Sequence, residues 1–212
     1  MSNDQVLRLT VGKLASNCYL FTDDKHEATA IIDPGDDAEY IKNVISDNNL
    51  KPKCIIATHG HFDHIMAALD LKLTYKIPFC ISKKDEFLVK KMKDTAKYFL
   101  SFDSGPPPEI DKYLDNQDNI KVGSISLEII STPGHTPGSV TFYSKKMKVA
   151  FVGDLLFKGG GVGRYDFKYA SKDDLEKSVK KVLTLDDDTI IYPGHSDETY
   201  VGNEKGFHHF LD

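Results

Sequence analysis

The sequence has no apolar run approaching the ~20 residues that a membrane span needs. Its start, MSNDQVLRLT, has neither the basic segment nor the apolar segment of a secretory signal. Basic charge is not in excess either: 27 Lys and Arg stand against 32 Asp and Glu, a formal net charge of −5. General nucleic-acid binders are usually basic. Neither a nucleic-acid nor a membrane partner is therefore expected, and the partner implied is a small-molecule substrate. Cysteine is scarce and odd in number. Cys18, Cys54 and Cys80 lie far apart, each in an apolar, strand-like run. They read as small buried hydrophobes in a reducing cytoplasm, not as a disulfide framework. Histidine is scarce as well, with eight in 212 residues, so where the histidines gather carries meaning.

Forty per cent of the residues are hydrophobic, enough for one domain of substantial size. VLRLTV, NCYLFT and ATAIID read as strands, the last ending in the turn signal Asp33-Pro34-Gly35. DAEYIKNVISDNN has Ile41, Val44 and Ile45 at helical spacing behind an acidic start. KCIIAT is a continuous apolar run, as a buried strand would be, and IMAALDLKL looks helical. Residues 83–99 predict an amphipathic surface helix with Leu88, Met92 and Phe99 near one face and a lysine-rich remainder. SFDSGPPPEI is a turn-rich break. Strands resume at NIKVG, SLEIIST, SVTFYS and KVAFVGD, followed by a helix at KDDLEKSVKKVLTL and a strand at DDTIIYPG. The order of elements thus comes twice, which suggests two β-rich halves packed face to face with helices outside.

ATHGHFDHI, residues 57–65, places three of the eight histidines and an aspartate within positions 59 to 64. Neutral imidazoles and carboxylates are the usual ligands of zinc, and of iron and manganese too. His59 and His61 alternate, so an extended loop points them the same way. Asp63 and His64 follow at the turn into a helix. One catalytic metal keeps an open position and has no need of all four. Two neighbouring metals would use two apiece, so the stretch reads as half of a two-metal cradle. Three more ligand-type residues sit at strand ends: His135 in TPGHTPGS, Asp154 in VGDLLF and His195 in YPGHSD. Taken singly, each reads as a turn residue or a helix cap. Taken with the cluster, four strand ends would make a seven-ligand site. His26, in a polar turn, and His208 and His209, near the C-terminus, are assigned to the surface.

In this order, THGHFDH, TPGHTPGS, VGDLLF and YPGH resemble the metallo-β-lactamase superfamily. Within it, the chain is most similar to glyoxalase II-like (hydroxyacylglutathione hydrolase-like) hydrolases of the single-domain kind. IIDPGD, PPPEIDKYL, GVGRYDF and VGNEK extend the likeness over nearly the full length. The resemblance implies a mixed α/β (α+β) fold, a four-layer αββα sandwich, as one domain over residues 1–212. The site would lie at one edge of the two sheets. Carried over residue by residue, the resemblance implies two divalent metal ions, Zn2+ first and iron or manganese as alternatives. His59, His61 and His135 would hold one; Asp63, His64 and His195 the other; Asp154 would bridge. Superfamily β-lactamases carry a Cys or another arrangement at the second site, so Asp154 points away from antibiotic hydrolysis. Full-length type II glyoxalases add a C-terminal helical domain that helps hold glutathione. The sequence stops soon after His195, with HHFL at 208–211 where related sequences often read NPFL. That domain is not expected, and the carrier of the acyl group is left open.

The chemistry follows from such a ligand set. Two cations sharing one water lower its pKa from ~16 to about 7. Hydroxide would then attack the carbonyl of a small, possibly anionic, thioester, ester or lactone. Asp154 would hold the metal spacing, and Asp63 would orient the hydroxide and pass its proton on. Asp33 and Thr58 are candidates to fix ring nitrogens. For substrate contacts the candidates are Lys158, Arg164 and Tyr165, beside a glycine-rich loop. Arg164 either clamps a carboxylate or pairs with Asp166 to brace that loop. A persulfide dioxygenase with one iron on His59, His135 and Asp154 is the alternative, and a metal-dependent nuclease a further one.

Overall fold

Tyr19 and Phe21 point to one side of the strand β2 (Ser16–Thr22) and Cys18 and Leu20 to the other, and all four are buried. A strand with apolar side chains on both faces must be covered on both, and this requirement sets the layers. A computed structural model describes residues 5–23, 25, 27–115 and 117–208. Its first half runs β1 (Val6–Val11), β2, β3 (Thr29–Ile32), α1 (Ala38–Asp47), β4 (Pro52–Ile56), α2 (Ala68–Tyr75), β5 (Phe79–Ile81), α3 (Glu86–Lys90), α4 (Met92–Leu100) and β6 (Lys112–Tyr113). The second half runs β7 (Asn119–Val122), β8 (Ile125–Ser131), β9 (Val140–Ser144), β10 (Val149–Gly153), β11 (Leu156–Phe157), β12 (Gly161–Val162), α5 (Lys172–Val182), β13 (Ile190–Pro193), β14 (Thr199–Tyr200) and α6 (Val201–Glu204).

Two six-stranded sheets result, ordered β1-β2-β3-β4-β5-β6 and β14-β13-β10-β9-β8-β7. Three apolar clusters separate four layers. The outer face of the first sheet, with Leu20, Ile31 and Ile55, packs on Ile41 and Ile45 of α1, Leu71 of α2 and Met92 of α4. The two inner faces meet through Tyr19, Phe21 and Ile56 on one side and Phe142, Phe151 and Tyr192 on the other. The outer face of the second sheet, with Ala150, Val152 and Ile191, packs on Leu175, Val179 and Val182 of α5. Ser171 caps α5 by accepting from the Asp174 N–H at 3.2 Å. Acidic residues in its first turn and lysines in its last suit the helix dipole. The expected αββα sandwich is the observed fold.

Strand direction then places the loops. β10 runs parallel to β13, and β8 and β10 are each antiparallel to β9. The C-terminal ends of β8, β10 and β13 therefore lie at one end of the second sheet. The loop after β13 is tied across to the first sheet. The Asn17 side chain donates to the carbonyls of Pro193 and Ser196 at 3.1 and 2.7 Å. The Tyr19 hydroxyl donates to the Pro193 carbonyl at 2.6 Å, and the Gly194 carbonyl accepts from the Asn17 N–H at 2.7 Å.

Two expectations change. Residues 83–99 are not one helix. After a 3-10 turn at Lys83–Asp85 come α3 and α4, interrupted at Lys91 with φ −95° and ψ 1°. The break lets Leu88 and Met92 pack inward while Phe99 turns out. His208, expected at the surface, is buried; it closes the 3-10 turn at Lys205–Phe207 that follows α6. His26 and His209 lie outside the described residues. Cys18, Cys54 and Cys80 are buried, unpaired thiols.

Phe151, fully buried, meets the rings of Tyr19, Phe21 and Tyr192 at 5.2–5.4 Å. Phe151→Ala should cost about 3–5 kcal/mol, read as a lower urea midpoint with an unchanged m value.

Candidate metal centre

The four strand ends carry their ligand-type residues to one place. His59, His61, Asp63 and His64 follow β4; His135 follows β8; Asp154 follows β10; His195 follows β13. The two sheets thus share the site. Among the described residues three groups have one ligand atom per residue within 4.8 Å of the others: His59, His61 and His135; Asp63, His64 and His195; and Asp33, His59 and His64. The first two are the triads that face the cavity. Asp154 lies between them. Its Oδ2 is 3.5 Å from His135 Nε2 and 3.7 Å from His195 Nε2, and its Oδ1 is 3.5 Å from His64 Nε2.

Outer hydrogen bonds fix each ring. Asp33 is buried and held at φ 50°, in the left-handed region. Its Oδ1 accepts from the Thr58 N–H at 2.7 Å and its Oδ2 from the Thr58 hydroxyl at 2.6 Å. With that proton committed, the Thr58 oxygen accepts from Nδ1–H of His59 at 3.1 Å. His64 Nδ1–H donates to Asp33 Oδ2 at 3.2 Å, and His135 Nδ1–H donates to the Arg164 carbonyl at 2.7 Å. All three rings therefore turn Nε2 inward, the nitrogen whose lone pair a cation would take in place of a proton. His61 is reversed. Its Nδ1 faces the cluster, and its Nε2 shares a hydrogen bond with the Tyr169 hydroxyl at 2.8 Å.

These groups fit a cation. Within the first triad, His61 Nδ1 stands 3.1 Å from His59 Nε2 and 2.9 Å from His135 Nε2. Nitrogen lone pairs at that range repel unless a proton or a cation sits among them. A proton is poorly held there. Burial, with the neighbouring histidines, pushes His59 well below the usual imidazole range and His61 down to about 3. In the second triad, His64 Nε2 and Asp154 Oδ1 are buried and make no hydrogen bond. Buried polar atoms without partners are costly, and a cation would satisfy both. Burial disfavours a charged His64, but Asp154, Asp63 and Asp33 outweigh it and raise the ring to about 10. Burial likewise raises Asp63, yet His64 and His195 hold its carboxyl below the usual range.

Backbone approach is close throughout. A Cβ on Gly194 would fall 2.3 Å from Asp154 Oδ1, and one on Gly35 would fall 1.8 Å from the Asp63 carbonyl. Only glycine fits at either point. Asp85, not singled out in the sequence, is fully buried and joins two ligand loops. Its oxygens accept from the Gly60 N–H at 2.9 Å, the Gly138 N–H at 2.7 Å and the Thr136 hydroxyl at 2.6 Å.

The chain belongs to the metallo-beta-lactamase superfamily. The model of that superfamily matches residues 11–195, which contain both triads and Asp154. Among superfamily relatives, the hydroxyacylglutathione hydrolase GloC of Haemophilus influenzae is 39% identical over 212 residues, 96% of each chain. The crystal structure of the BLEG-1 B3 metallo-beta-lactamase is similar at a TM-score of 0.89 and 30% identity, over 97% of this chain and 99% of that one. The di-iron-bound form of TTHA1623 is similar at 0.87 and 31%, over 97% and 100%.

A cavity of about 410 Å³ opens onto the cluster. Of the three residues expected at the substrate, Arg164 lines it, while Lys158 and Tyr165 are not among its lining. The Arg164 guanidinium is paired two-pronged with Asp166, at 3.0 and 2.8 Å, and lies 4.6 Å over the Phe167 ring. This is the bracing arrangement. Lys158 is exposed, 3.8 Å from Asp197. Tyr169 had no motif to mark it, and the apolar lining residues Phe62, Phe157 and Phe167 fell inside the quoted motifs without being read as cavity lining.

Asp33→Asn should weaken metal retention by about 10–100-fold, measured by competition with a chelator, while the far-ultraviolet circular dichroism stays unchanged. Asp85→Ala leaves the buried Gly60 and Gly138 N–H groups without an acceptor, while the Thr136 hydroxyl keeps Ser139, and should cost about 3 kcal/mol in urea unfolding.

Proposed function

We propose that this member of a metallo-hydrolase superfamily is a two-metal hydrolase that cleaves a small thioester or ester. Seven ligand-type side chains converge, with one carboxylate between two triads, and that convergence carries the reading. His59, His61 and His135 would hold one divalent cation, Asp63, His64 and His195 the other, and Asp154 both. Zinc suits imidazole and carboxylate donors. Iron suits them too, and the di-iron form of TTHA1623 supports counting both. When bound, the pair would supply a Lewis acid for the carbonyl and an activated water. The name of the GloC relative favours a thioester. The three unpaired, buried thiols fit a protein working in the cytoplasm.

The chain's own groups then have definite tasks. Asp33 and the Arg164 carbonyl hold rings in the tautomer that presents Nε2. Asp63, whose Oδ2 lies 3.4 Å from His195 Nε2, is placed to accept the proton of the attacking water and return it to the leaving group. Tyr169 anchors His61 from outside. Phe62, Phe99, Phe157 and Phe167, which line the cavity, would displace water around a bound carbonyl and so strengthen the electrostatic contacts there. One iron on His59, His135 and Asp154 would leave Asp63, His64 and His195 without a task, so the hydrolase is preferred to the dioxygenase.

The test is a substrate panel run on protein whose metals have been counted: thioesters, esters, a lactone, a β-lactam, and a persulfide with oxygen uptake recorded. Thioester or ester hydrolysis should disappear on dialysis against a chelator and return with zinc. His61→Ala should lose about one metal per chain and at least ~100-fold in kcat/KM. Full activity after chelation would end the two-metal reading, and oxygen uptake on the persulfide with one iron per chain would replace it with the dioxygenase.

A further inference from the structure

The cavity over the metal centre has two kinds of wall. One is the ligand-type set. The other is largely aromatic and comes from separate parts of the chain. On one side Phe62 and Phe99, from the 3-10 turn at Phe62–His64 and from α4, stack with ring centroids 5.8 Å apart at 14°. On the other, Phe167 and Tyr169, from the loop after β12, stack at 5.3 Å and 13°. Leu14 and Phe157 also line the space. Phe99 remains 50% exposed and Leu14 42%. Large apolar side chains left open at the mouth of a cavity mark a surface that a ligand covers.

Charge points the same way. Among the described residues that line the cavity, Arg164 is the one Lys or Arg, and it is already held. Asp166 takes its guanidinium at two points and Phe167 takes its face. The Tyr169 hydroxyl is spent on His61. A carboxylate brought against this wall would lose its water and meet only a guanidinium whose charge Asp166 already offsets, which is unfavourable. An aromatic ring would instead meet these lining rings in the offset or edge-on arrangements that aromatic pairs prefer.

We infer that this site selects uncharged thioesters or esters whose acyl group is apolar and of arylacetyl size, with Phe62, Phe99, Phe157 and Phe167 setting the choice. The inference rests on the hydrolase reading above and names its substrate class. In the reaction, the oxygen of water bonds to the acyl carbon and the carbon–sulfur or carbon–oxygen bond breaks. The thiol or alcohol leaves with a proton, and the carboxylic acid remains. Glutathione, with two carboxylates, is then a poor carrier and a neutral thiol a good one.

Zinc-loaded protein is assayed on acetyl, butanoyl and phenylacetyl thioesters, each built on N-acetylcysteamine and on glutathione. On the neutral carrier kcat/KM should rise at least about tenfold from acetyl to phenylacetyl. For each acyl group the neutral carrier should exceed glutathione by about tenfold. Phe99→Ala should lower the phenylacetyl-to-acetyl ratio, and Phe99→Arg, which adds a cation at the mouth, should shift preference towards the glutathione carrier. Binding of S-benzyl-N-acetylcysteamine and S-benzylglutathione, measured by calorimetry, gives a readout without turnover, and the neutral thioether should bind more tightly. Equal rates across acyl groups, or a preference for glutathione in the unaltered protein, overturns this inference and leaves the hydrolase reading standing. No turnover of any thioester or ester overturns the hydrolase reading. In that case the calorimetry decides the cavity's preference, and tighter binding of the glutathione thioether overturns the inference.

Discussion

The buried Asp33 carboxylate is the interaction on which the site depends. It sits where β3 ends, in a backbone conformation that an aspartate tolerates but does not favour. From there it orients His64 directly and His59 through Thr58. One side chain therefore sets the tautomer of a ring in each triad. Without it, either ring could turn the wrong nitrogen inward, and a cation would find a proton where it needs a lone pair. The strain at Asp33 is held by its surroundings: Gly35 behind it lets the Asp63 backbone close in, and the Ser16 hydroxyl donates to that same Asp63 carbonyl at 2.6 Å.

A second constraint is repulsion. Five imidazoles and two carboxylates gathered largely out of water would push the loops apart if the loops were free. They are not free. Asp85 holds the loops of His59 and His135 together, and Asn17 and Tyr19 hold the loop of His195. Glu204 does the same for the β11–β12 hairpin, accepting from the Gly159 and Gly160 N–H groups at 3.0 and 2.9 Å. The fold supplies rigidity, and the rigidity keeps like groups close enough for a shared ion to be worth binding.

The parts legible in the sequence were those with local signatures. Strand runs such as those at Ser16–Thr22 and Val149–Gly153 show their apolar character in the string itself. The ligand-type residues stand out because histidine is rare and the cluster at 59 to 64 is dense, and their strand-end positions suggested that they meet. What stayed hidden depends on distant segments. Asp85 is an ordinary acidic residue at a helix start until two glycine loops close on it. Tyr169 acquires a role only because β12 leads its loop back over His61. β5, three residues long behind a proline, is too short to carry a period and showed only as the apolar run around Cys80. The interruption at Lys91 follows from packing, which draws Leu88 and Met92 inward and turns Phe99 towards the cavity, and helical spacing alone could not show that.

The tie from Asn17 and Tyr19 to Pro193, Gly194 and Ser196 also has a consequence for folding. It joins residues 174 to 179 positions apart in sequence. Contacts of such separation form late, because a long loop must close before they are made. The second triad is therefore completed only when the two sheets have docked, and the order of folding is written into the same hydrogen bonds that position His195.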